Sequence, residues 1–389
     1  MIIPSHLSHL PAPSAAAQAL SDQLSATIAD EIRQAGGWLS FARYMELALY
    51  APGLGYYSAG SRKLGEDGDF ITAPEMSPLF AQCVARQLAQ LHAEGLRTVL
   101  EIGAGSGVLA AEVLLEMQAL DCAPEHYWIL ELSADLRERQ RDLILQRAPA
   151  LVERVRWLDG LPEPFEGIVL ANEVLDATPA HVMRASGSGI EEIGVTIGAA
   201  GSIERGLRAA SGELLEIATG LGLPAGYETE VNLTARALVT SLSRLLTRGV
   251  ILLIDYGFPA REFYHPQRSS GTLMCHYRHH AHDDPLAFVG LQDITTHVDF
   301  SAIAAAAMAG GALLAGYTSQ ANFLINCGIT ELLSQTPASD ARAYAPLAAQ
   351  AQKLLSPAEM GELFKVIALS KNIDTPLLGF ARNDKSHSL

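Results

Sequence analysis

Cysteine is scarce in this chain, and no motif of paired metal ligands is present. Cys83, Cys122, Cys275 and Cys327 form no C-x-x-C pair, which indicates a reducing compartment and no structural zinc. The histidine-rich segment 276–284 (HYRHHAHDD) contains no H-E-x-x-H pattern either. We therefore predict no metal site and interpret 276–284 as a polar, partly solvated segment.

Long apolar runs and an excess of basic residues are also lacking. No uncharged apolar run is long enough to span a bilayer, and the alanine-rich stretch 302–315 is short and interrupted by glycine. Residues 1–20 lack the basic segment of a signal peptide and the arginines of a transit peptide. We therefore expect a cytoplasmic protein without membrane insertion. The net charge of −16 disfavours nucleic acid and favours a cationic partner.

What the chain does have is a short apolar strand followed by a glycine-rich turn. Residues 98–102 (TVLEI) predict a buried strand, inside which the acid Glu101 is costly unless it has a task. Residues 103–107 (GAGSG) allow the backbone to turn sharply and to approach a ligand closely. The helical pattern over 109–117 then points a helix N-terminus at that ligand.

The spacing of these glycines separates the classes of nucleotide site. The dinucleotide fingerprint is G-x-G-x-x-G, whereas this turn is G-x-G-x-G with an acid two residues before the first glycine. That form resembles motif I of the class I S-adenosylmethionine (SAM) methyltransferases. A strand-to-helix connection without a ligand and a nicotinamide or flavin site stay open as alternatives.

Strands and helices alternate from this turn onward, which predicts an α/β fold with a Rossmann-like parallel sheet. Further strands are predicted at 126–131, 154–158, 167–171 and 249–254, and a helix over 227–246. Acids or amides stand at the carboxyl ends of four successive predicted strands. Ligands bind at that edge of an open parallel sheet, so we expect the functional site there.

We divide the chain into an N-terminal part and a methyltransferase-like sheet domain. The first part holds an arm, helices and a Gly/Asp-rich loop that we interpret as a lid, with an ordinary solvated connection as the alternative. Alternating apolar residues around Val195 predict a β-hairpin in an insertion of the second part. The expected boundaries are 1–95 and 96–389, with insertions near 180–247 and 257–298.

Several segments together resemble the MidA family of SAM-dependent methyltransferases. They are 69–75 (DFITAPE), 100–107 (LEIGAGSG), 172–177 (NEVLDA), 253–257 (LIDYG), 268–273 (RSSGTL), 293–300 (DITTHVDF) and 318–324 (TSQANFL). The resemblance covers roughly residues 35–375 and implies a methyltransferase domain with an added helical N-terminal part. The mitochondrial members of the family are complex I assembly factors that methylate an arginine of a core subunit.

The positions at which the wider methyltransferase superfamily binds SAM indicate which residues of this chain form the expected SAM site. We expect the glycine turn to approach the methionine part and Glu101 to accept from its ammonium group, directly or through water. We expect Glu131 to accept from both ribose hydroxyls and Asp159 to contact the adenine amino group. The alternatives are a helix-capping acid at Glu131 and an ordinary turn residue at Asp159. The expected SAM-binding residues, with the covering loop, are Gly68, Asp69, Thr72, Glu101, Gly103, Ala104, Gly105, Gly107, Glu131, Leu132 and Asp159.

The segment 172–176 (NEVLD) is the expected transfer site. Glu173 and Asp176 are three residues apart, so on one helical turn they would face the same way. Two carboxylates suit the fork of donors on a guanidinium, and we expect Asn172, Glu173 and Asp176 to be the catalytic residues. The alternative is a helix capped by Asn172, with both acids in its solvated first turn.

These inferences predict a SAM-dependent methyltransferase that acts on an arginine of a protein, with a complex I subunit as the substrate that the resemblance implies. Two alternatives remain open: a non-catalytic SAM-binding assembly or scaffold protein, and a small-molecule methyltransferase. We expect no nucleic-acid partner. The helical N-terminal part and the insertion offer surfaces on which a homo-oligomer could form.

Overall fold

The computed structural model describes residues 7, 9–59 and 72–389. Gly68 and Asp69 of the expected lid lie outside the described residues. By its contacts the described chain divides into two compact units. The first unit takes its residues from Met1–Phe70, Leu175–Arg236 and Arg261–His297, and the second from Ile71–Val174, Ala237–Ala260 and Val298–Leu389. Residues 180–236 and 261–297, which make up most of the two expected insertions, therefore belong to the same unit as the N-terminal segment.

The described residues form helices and strands throughout both units. The α-helices are α1 (Ala15–Gln34), α2 (Phe41–Tyr50), α3 (Ala73–Met76), α4 (Pro78–Ala93), α5 (Val108–Ala119), α6 (Ala134–Arg147), α7 (Gly212–Leu221), α8 (Leu233–Leu245), α9 (Ala260–Phe263), α10 (Phe300–Ala309), α11 (Gln320–Asn326), α12 (Ile329–Ser334) and α13 (Ala341–Leu355). Short 3-10 turns lie at Pro149–Arg154, Pro266–Arg268, Leu378–Phe380 and Ser386–Ser388. The strands are β1 (Trp38–Ser40), β2 (Thr98–Ile102), β3 (His126–Leu130), β4 (Val155–Leu158), β5 (Phe165–Asn172), β6 (His181–Ser186), β7 (Gly189–Ile197), β8 (Ile203–Ala209), β9 (Glu228–Val231), β10 (Leu246–Phe258), β11 (Met274–Tyr277), β12 (His280–His282), β13 (Asp293–Thr295), β14 (Val298–Asp299), β15 (Leu313–Ser319) and β16 (Phe364–Lys371).

The second unit is built on a mixed sheet with the strand order β15-β16-β10-β5-β2-β3-β4, and β14 pairs with the end of β10. The strands β10, β5, β2, β3 and β4 run parallel. β16 runs antiparallel to both of its neighbours, β10 and β15. The predicted α/β fold with a Rossmann-like sheet is confirmed, and the parallel strands end together at one edge.

The central strands of this sheet are buried on both faces, as their continuous apolar sequences require. Ile168 and Leu170 of β5 pack with Phe80 of α4 and Leu114 of α5 in one buried cluster. Val169, which points to the opposite face because strand side chains alternate, is also fully buried. Burying a side chain of this size stabilises a fold by about 1.5–3 kcal/mol, so the strands that carry the site edge are anchored firmly.

The first unit has its own sheets and its own core. β7 pairs antiparallel with β6, β8 and β1, and β6 pairs with β9. A smaller sheet has the order β12-β11-β13. The antiparallel pairing of β7 with β6 and β8 confirms the predicted hairpin around Val195. Ile28 and Ile32 of α1 pack with Tyr44 of α2 and Val195 of β7. Among the helices of the described residues, none is both long and apolar enough to cross a bilayer.

The predicted helix over 227–246 is only partly present. Its first part is strand β9, and helix α8 begins at Leu233. β9 pairs with β6 in the register Val231 opposite His181. Thr229 and Val231 are β-branched, and such residues favour strands when a partner strand is available. Antiparallel pairing within the first unit therefore overrides the local helical pattern.

Candidate active site

The glycine turn after β2 has the conformation that only glycine adopts readily. Gly103, Gly105 and Gly107 have φ values of 64°, 54° and 86°, and Gly107 is the N-cap of α5. Ala104 between them is buried. A Cβ atom added to Gly103 would lie 3.0 Å from Cγ2 of Val174. The turn is therefore packed closely against the segment that follows β5, and the predicted strand, glycine turn and helix are confirmed.

Glu101 is a buried acid inside β2, with only 2% of its surface exposed. The hydroxyl of Tyr127 on β3 donates to its Oε2 atom at 2.6 Å. Burial raises the pKa of Glu101 to about 7; the charge of Glu131 raises it as well, and the Tyr127 hydrogen bond opposes the rise. Glu101 therefore changes charge near neutral pH, and a bound cation would favour its ionised form.

Glu131 follows β3 and is also buried. The Ser133 backbone N–H donates to its Oε1 at 2.9 Å, and the Gln140 side-chain amide donates to its Oε2 at 3.1 Å. Burial raises the pKa of Glu131, and these hydrogen bonds oppose the rise. A carboxylate oxygen can accept more than one hydrogen bond, so Glu131 keeps acceptor capacity for two hydroxyl groups. Leu132 beside it is 80% exposed and presents apolar surface.

Asp159 follows β4 and has a 95% exposed side chain that pairs with Arg137 at 2.7 Å. An ion pair this exposed contributes little to stability. Arg137 also donates from Nε to the Glu131 carbonyl at 2.6 Å and from Nη2 to the Leu158 carbonyl at 2.7 Å. Arg137 thus joins the ends of β3 and β4, a role with no signal in the sequence. The adenine contact of Asp159 stays a prediction.

Asn172 and Glu173 stand where β5 ends. Glu173 has a φ of 53°, a left-handed conformation that residues other than glycine seldom adopt. Its N–H donates to the Ile254 carbonyl at 2.8 Å, and the Asn172 Nδ2 group donates to its Oε1 at 3.1 Å. The Oδ1 atom of Asn172 is buried and has no hydrogen-bond partner among the described residues. A strained residue beside a free buried acceptor is typical of a functional position.

The expected helical turn over 172–176 is wrong. No helix follows β5, and the chain leaves the strand through the left-handed Glu173 and then bends. Asp176 falls in the first unit, where its Oδ1 accepts from the Ala177 N–H at 2.9 Å and its carbonyl accepts from the Thr296 N–H at 3.0 Å. Glu173 and Asp176 therefore do not share a helical turn, and the catalytic role of Asp176 stays a prediction.

Of the three residues expected in the covering loop, Thr72 is the one that the structure describes. It is the N-cap of the short helix α3, although its side chain makes no capping hydrogen bond.

The histidine-rich segment forms the antiparallel strands β11 and β12, joined by Arg278 and His279 at positive φ. Across residues 7, 9–59 and 72–389, no group of three or more His, Cys, Asp or Glu side chains is arranged to hold a metal ion.

The chemistry of this edge fits SAM. Glu101 and Glu131 are buried carboxylates, whose chemistry suits a cation and hydroxyl groups respectively, and the close packing at Gly103 leaves no room for a Cβ atom. Sequence reasoning missed Tyr127, which donates to Glu101, and Gln140, which donates to Glu131. It also missed Asp255. Asp255 accepts from the Val174 N–H at 3.2 Å. Its position after a predicted strand was the signal that could have found it.

Comparisons with known proteins agree with this geometry. The sequence model of a family described as S-adenosyl-L-methionine-dependent methyltransferases matches residues 79–318. The chain is 29% identical to "Protein arginine methyltransferase NDUFAF7, mitochondrial" of Mus musculus, over 86% of this chain and 81% of that protein. It is 28% identical to the Homo sapiens protein of the same name, over 86% and 80% of the two chains.

A solved structure is more similar still. The crystal structure of a Burkholderia thailandensis protein bound to S-adenosyl-homocysteine superposes with a TM-score of 0.95 at 52% sequence identity. The match covers 98% of this chain and 100% of that one. A native crystal structure from the same organism gives a TM-score of 0.93 at 51% identity, with the same coverage.

Proposed function

Since this chain belongs to the family of SAM-dependent methyltransferases, we propose that it transfers the methyl group of SAM to an arginine side chain of a protein. The relatives named as protein arginine methyltransferases support this choice of acceptor. The net charge of −16 also favours a cationic partner. The complex I subunits that the family resemblance implies are the first candidate acceptors.

The observation that carries the proposal is the turn after β5. Asn172 supplies a buried carbonyl oxygen without a partner among the described residues, and Glu173 beside it supplies a carboxylate. Val174 packs against the glycine turn, 3.0 Å from where a Gly103 Cβ would stand. The turn that carries these two oxygen acceptors therefore packs against the glycine turn, which we expect to hold the methionine part of SAM. The Asn172 carbonyl oxygen and the Glu173 carboxylate both accept hydrogen bonds, and a guanidinium offers only donors.

In this mechanism the protein mainly positions the acceptor. SAM supplies an electrophilic methyl group on a positive sulfur. Asn172 and Glu173 hold the guanidinium so that one of its nitrogens faces that methyl, and such positioning can supply on the order of 7–11 kcal/mol of the barrier. The N–CH3 bond forms as the S–CH3 bond breaks, S-adenosyl-homocysteine leaves, and the guanidinium gives one proton to the Glu173 carboxylate.

The test is methyl transfer from labelled SAM to proteins of a cell extract that lacks the gene. We expect label on arginine, located by mass spectrometry of the labelled protein. Glu173→Gln removes the charge and should lower kcat by about 100-fold or more, whereas SAM binding measured by calorimetry should persist. Glu153→Gln makes the same change at an exposed residue of the second unit and should leave transfer unchanged.

Other outcomes decide between the alternatives. Label that appears only on a small molecule would point to a small-molecule methyltransferase. SAM binding without transfer, together with normal assembly of the partner in cells that carry Glu173→Gln, would point to a scaffold protein. A cytoplasmic location belongs to the proposal as well and rests on the four scattered cysteines, all of which are free.

A further inference from the structure

Gln140 is a buried glutamine that joins three elements of the site edge. It lies on α6 and is fully buried. Its Nε2 group donates to the Gly105 carbonyl at 2.9 Å and to Oε2 of Glu131 at 3.1 Å. Its Oε1 atom accepts from the indole N–H of Trp157 on β4 at 2.8 Å. One side chain thus connects the glycine turn, the acid after β3 and the strand β4.

The orientation of this amide follows from its partners. The indole N–H of Trp157 can only donate, so the amide oxygen must face it. The Gly105 carbonyl and the Glu131 carboxylate can only accept, so the NH2 group must face them. Both N–H groups of Gln140 are used, each on a different part of the site. A glutamine is the neutral side chain that can make this set of bonds at this reach.

Space around Gln140 is restricted as well. A Cβ atom added to Gly107 would lie 3.1 Å from Cα of Gln140 and 3.2 Å from its Cγ. The start of α5 therefore rests directly on the Gln140 side chain. A shift of this side chain would move both the glycine turn and the carboxylate of Glu131.

We propose that Gln140 is a positioning residue for SAM: it fixes the Glu131 carboxylate and the Gly105 carbonyl in one arrangement, so that the ribose and the methionine part are held together. The inference rests on the SAM half of the proposed function and is independent of the acceptor. Loss of the amide leaves the partly buried Gly105 carbonyl and Trp157 indole N–H without this partner and removes one hydrogen bond from the buried Glu131 carboxylate, which is costly. We expect Gln140→Leu to weaken SAM binding about tenfold or more.

A sharper test uses Gln140→Glu and pH. At pH 8 the new carboxylate would face the Glu131 carboxylate and the Gly105 carbonyl, so SAM should bind about tenfold more weakly than to the wild type. Two adjacent buried carboxylates take up a shared proton more readily than an isolated one as the pH falls, and this proton can donate to Glu131 again. The affinity of this variant relative to the wild type should therefore recover in part as the pH falls, because the single O–H restores the bond to Glu131 but not the bond to Gly105. Gln140→Leu should stay weak throughout.

Charged groups bear on this position through its partners Glu131 and Trp157. Glu131 accepts from Gln140 directly, Arg137 and Glu101 interact electrostatically with Glu131, and Arg141 stacks on the Trp157 ring. Acidification protonates Glu131 in the wild type too, which can only weaken its binding to hydroxyl donors. Glu101 and Glu131 take up protons in both proteins, so the ratio of the two affinities at each pH reports the change at residue 140. This ratio should shrink from about tenfold at pH 8 as the pH falls to 6.

Calorimetry of SAM binding from pH 6 to pH 8 is the measurement, with Gln146→Glu as the control because Gln146 lies exposed on the same helix. At saturating SAM, kcat of Gln140→Glu should stay within about threefold of the wild type while KM for SAM rises about tenfold. Recovery at pH 6 also shows that the variant is folded. Wild-type affinity at pH 8, or no recovery at pH 6, would overturn the inference, and arginine labelling by the wild type would be unaffected by that result.

Discussion

The backbone N–H of Val174 donates to Oδ2 of Asp255 at 3.2 Å, so a carboxylate of β10 holds the turn that leaves β5. The other oxygen of Asp255 accepts from the Tyr256 N–H at 2.9 Å, which fixes the carboxylate itself. Asp255 is buried. The strained Glu173 is therefore kept in its conformation by hydrogen bonds of its own backbone and of the residue that follows it.

Asp255→Asn should lower transfer without abolishing SAM binding. An amide has one acceptor oxygen, so it can satisfy only one of the two N–H groups and turns a donor toward the other. We expect kcat to fall by about tenfold, since the turn that positions the acceptor loosens, while KM for SAM changes little. Steady-state kinetics at varied SAM would measure the split. A rise in KM for SAM at constant kcat would contradict this assignment.

Glu173→Gly should separate stability from activity. Glycine removes the strain of the left-handed backbone, worth about 1–2 kcal/mol, but costs about 0.5–1 kcal/mol through the freedom of the unfolded chain. We expect the free energy of unfolding to stay the same or rise by up to about 1.5 kcal/mol, while methyl transfer is lost with the carboxylate. Urea denaturation and the transfer assay measure the two effects.

Asp121→Gly is the matched control for this variant. Asp121 is exposed after α5 and also has a positive φ, of 54°. The same backbone relief there should alter stability similarly and leave transfer intact. If Glu173→Gly retained full transfer, its carboxylate could not be part of the acceptor site.

The parallel strands and the glycine turn could be predicted because local sequence dictates them. Residues 98–102 form a short, mainly apolar run that predicts a buried strand. Gly103 and Gly107 adopt backbone conformations that are unfavourable for other residues. The turn after β5 could not be predicted. Its conformation depends on hydrogen bonds that its N–H groups donate to Ile254 and Asp255, which are some 80 residues away in the chain. No local pattern indicates such partners.

The sequence of α6 gives only a weak indication that Gln140 has a role in the site. α6 is polar overall, and its buried residues are Gln140 and Ile144, one helical turn apart. A polar residue on the narrow buried stripe of a helix needs a partner there. Which partner it finds depends on the packing of α6 against β3 and β4. The sequence could therefore indicate that Gln140 has a task but not what the task is.

Gly103→Ala should impair both folding and SAM binding. The left-handed backbone strains any residue with a Cβ atom, by about 1–2 kcal/mol, and the new methyl would press against Val174 at 3.0 Å. We expect a destabilisation of about 2 kcal/mol in urea denaturation and at least a tenfold loss of SAM affinity. Gly201→Ala is the control, because Gly201 has a φ of 81° in the turn before β8 with nothing near its added Cβ. An equal loss of SAM affinity in both variants would show that strain, and not the site, is responsible.

Glu101 should make the protein less stable as the pH rises. Its pKa is about 7 in the folded state, above the ordinary value of 4.5, so the folded state binds this proton more tightly than the unfolded state. Stability is therefore lost as the pH rises from about 4.5 to about 7, and the ionised carboxylate costs up to about 3 kcal/mol above that range. Glu101→Gln stays neutral and can still accept from Tyr127. Its stability relative to the wild type should be near equal at pH 4.5 and should increase up to pH 8.

SAM binding should respond to the same proton in the opposite direction. If the ammonium group of SAM lies at Glu101, the ionised carboxylate is the binding form, and affinity rises with pH through about 7. Calorimetry in buffers of different ionisation enthalpy should then detect release of a proton on binding at pH 6.5, and Glu101→Gln should abolish that release. Unchanged proton release in Glu101→Gln would assign the proton to another group, for which Glu131, with its raised pKa, is the nearest candidate.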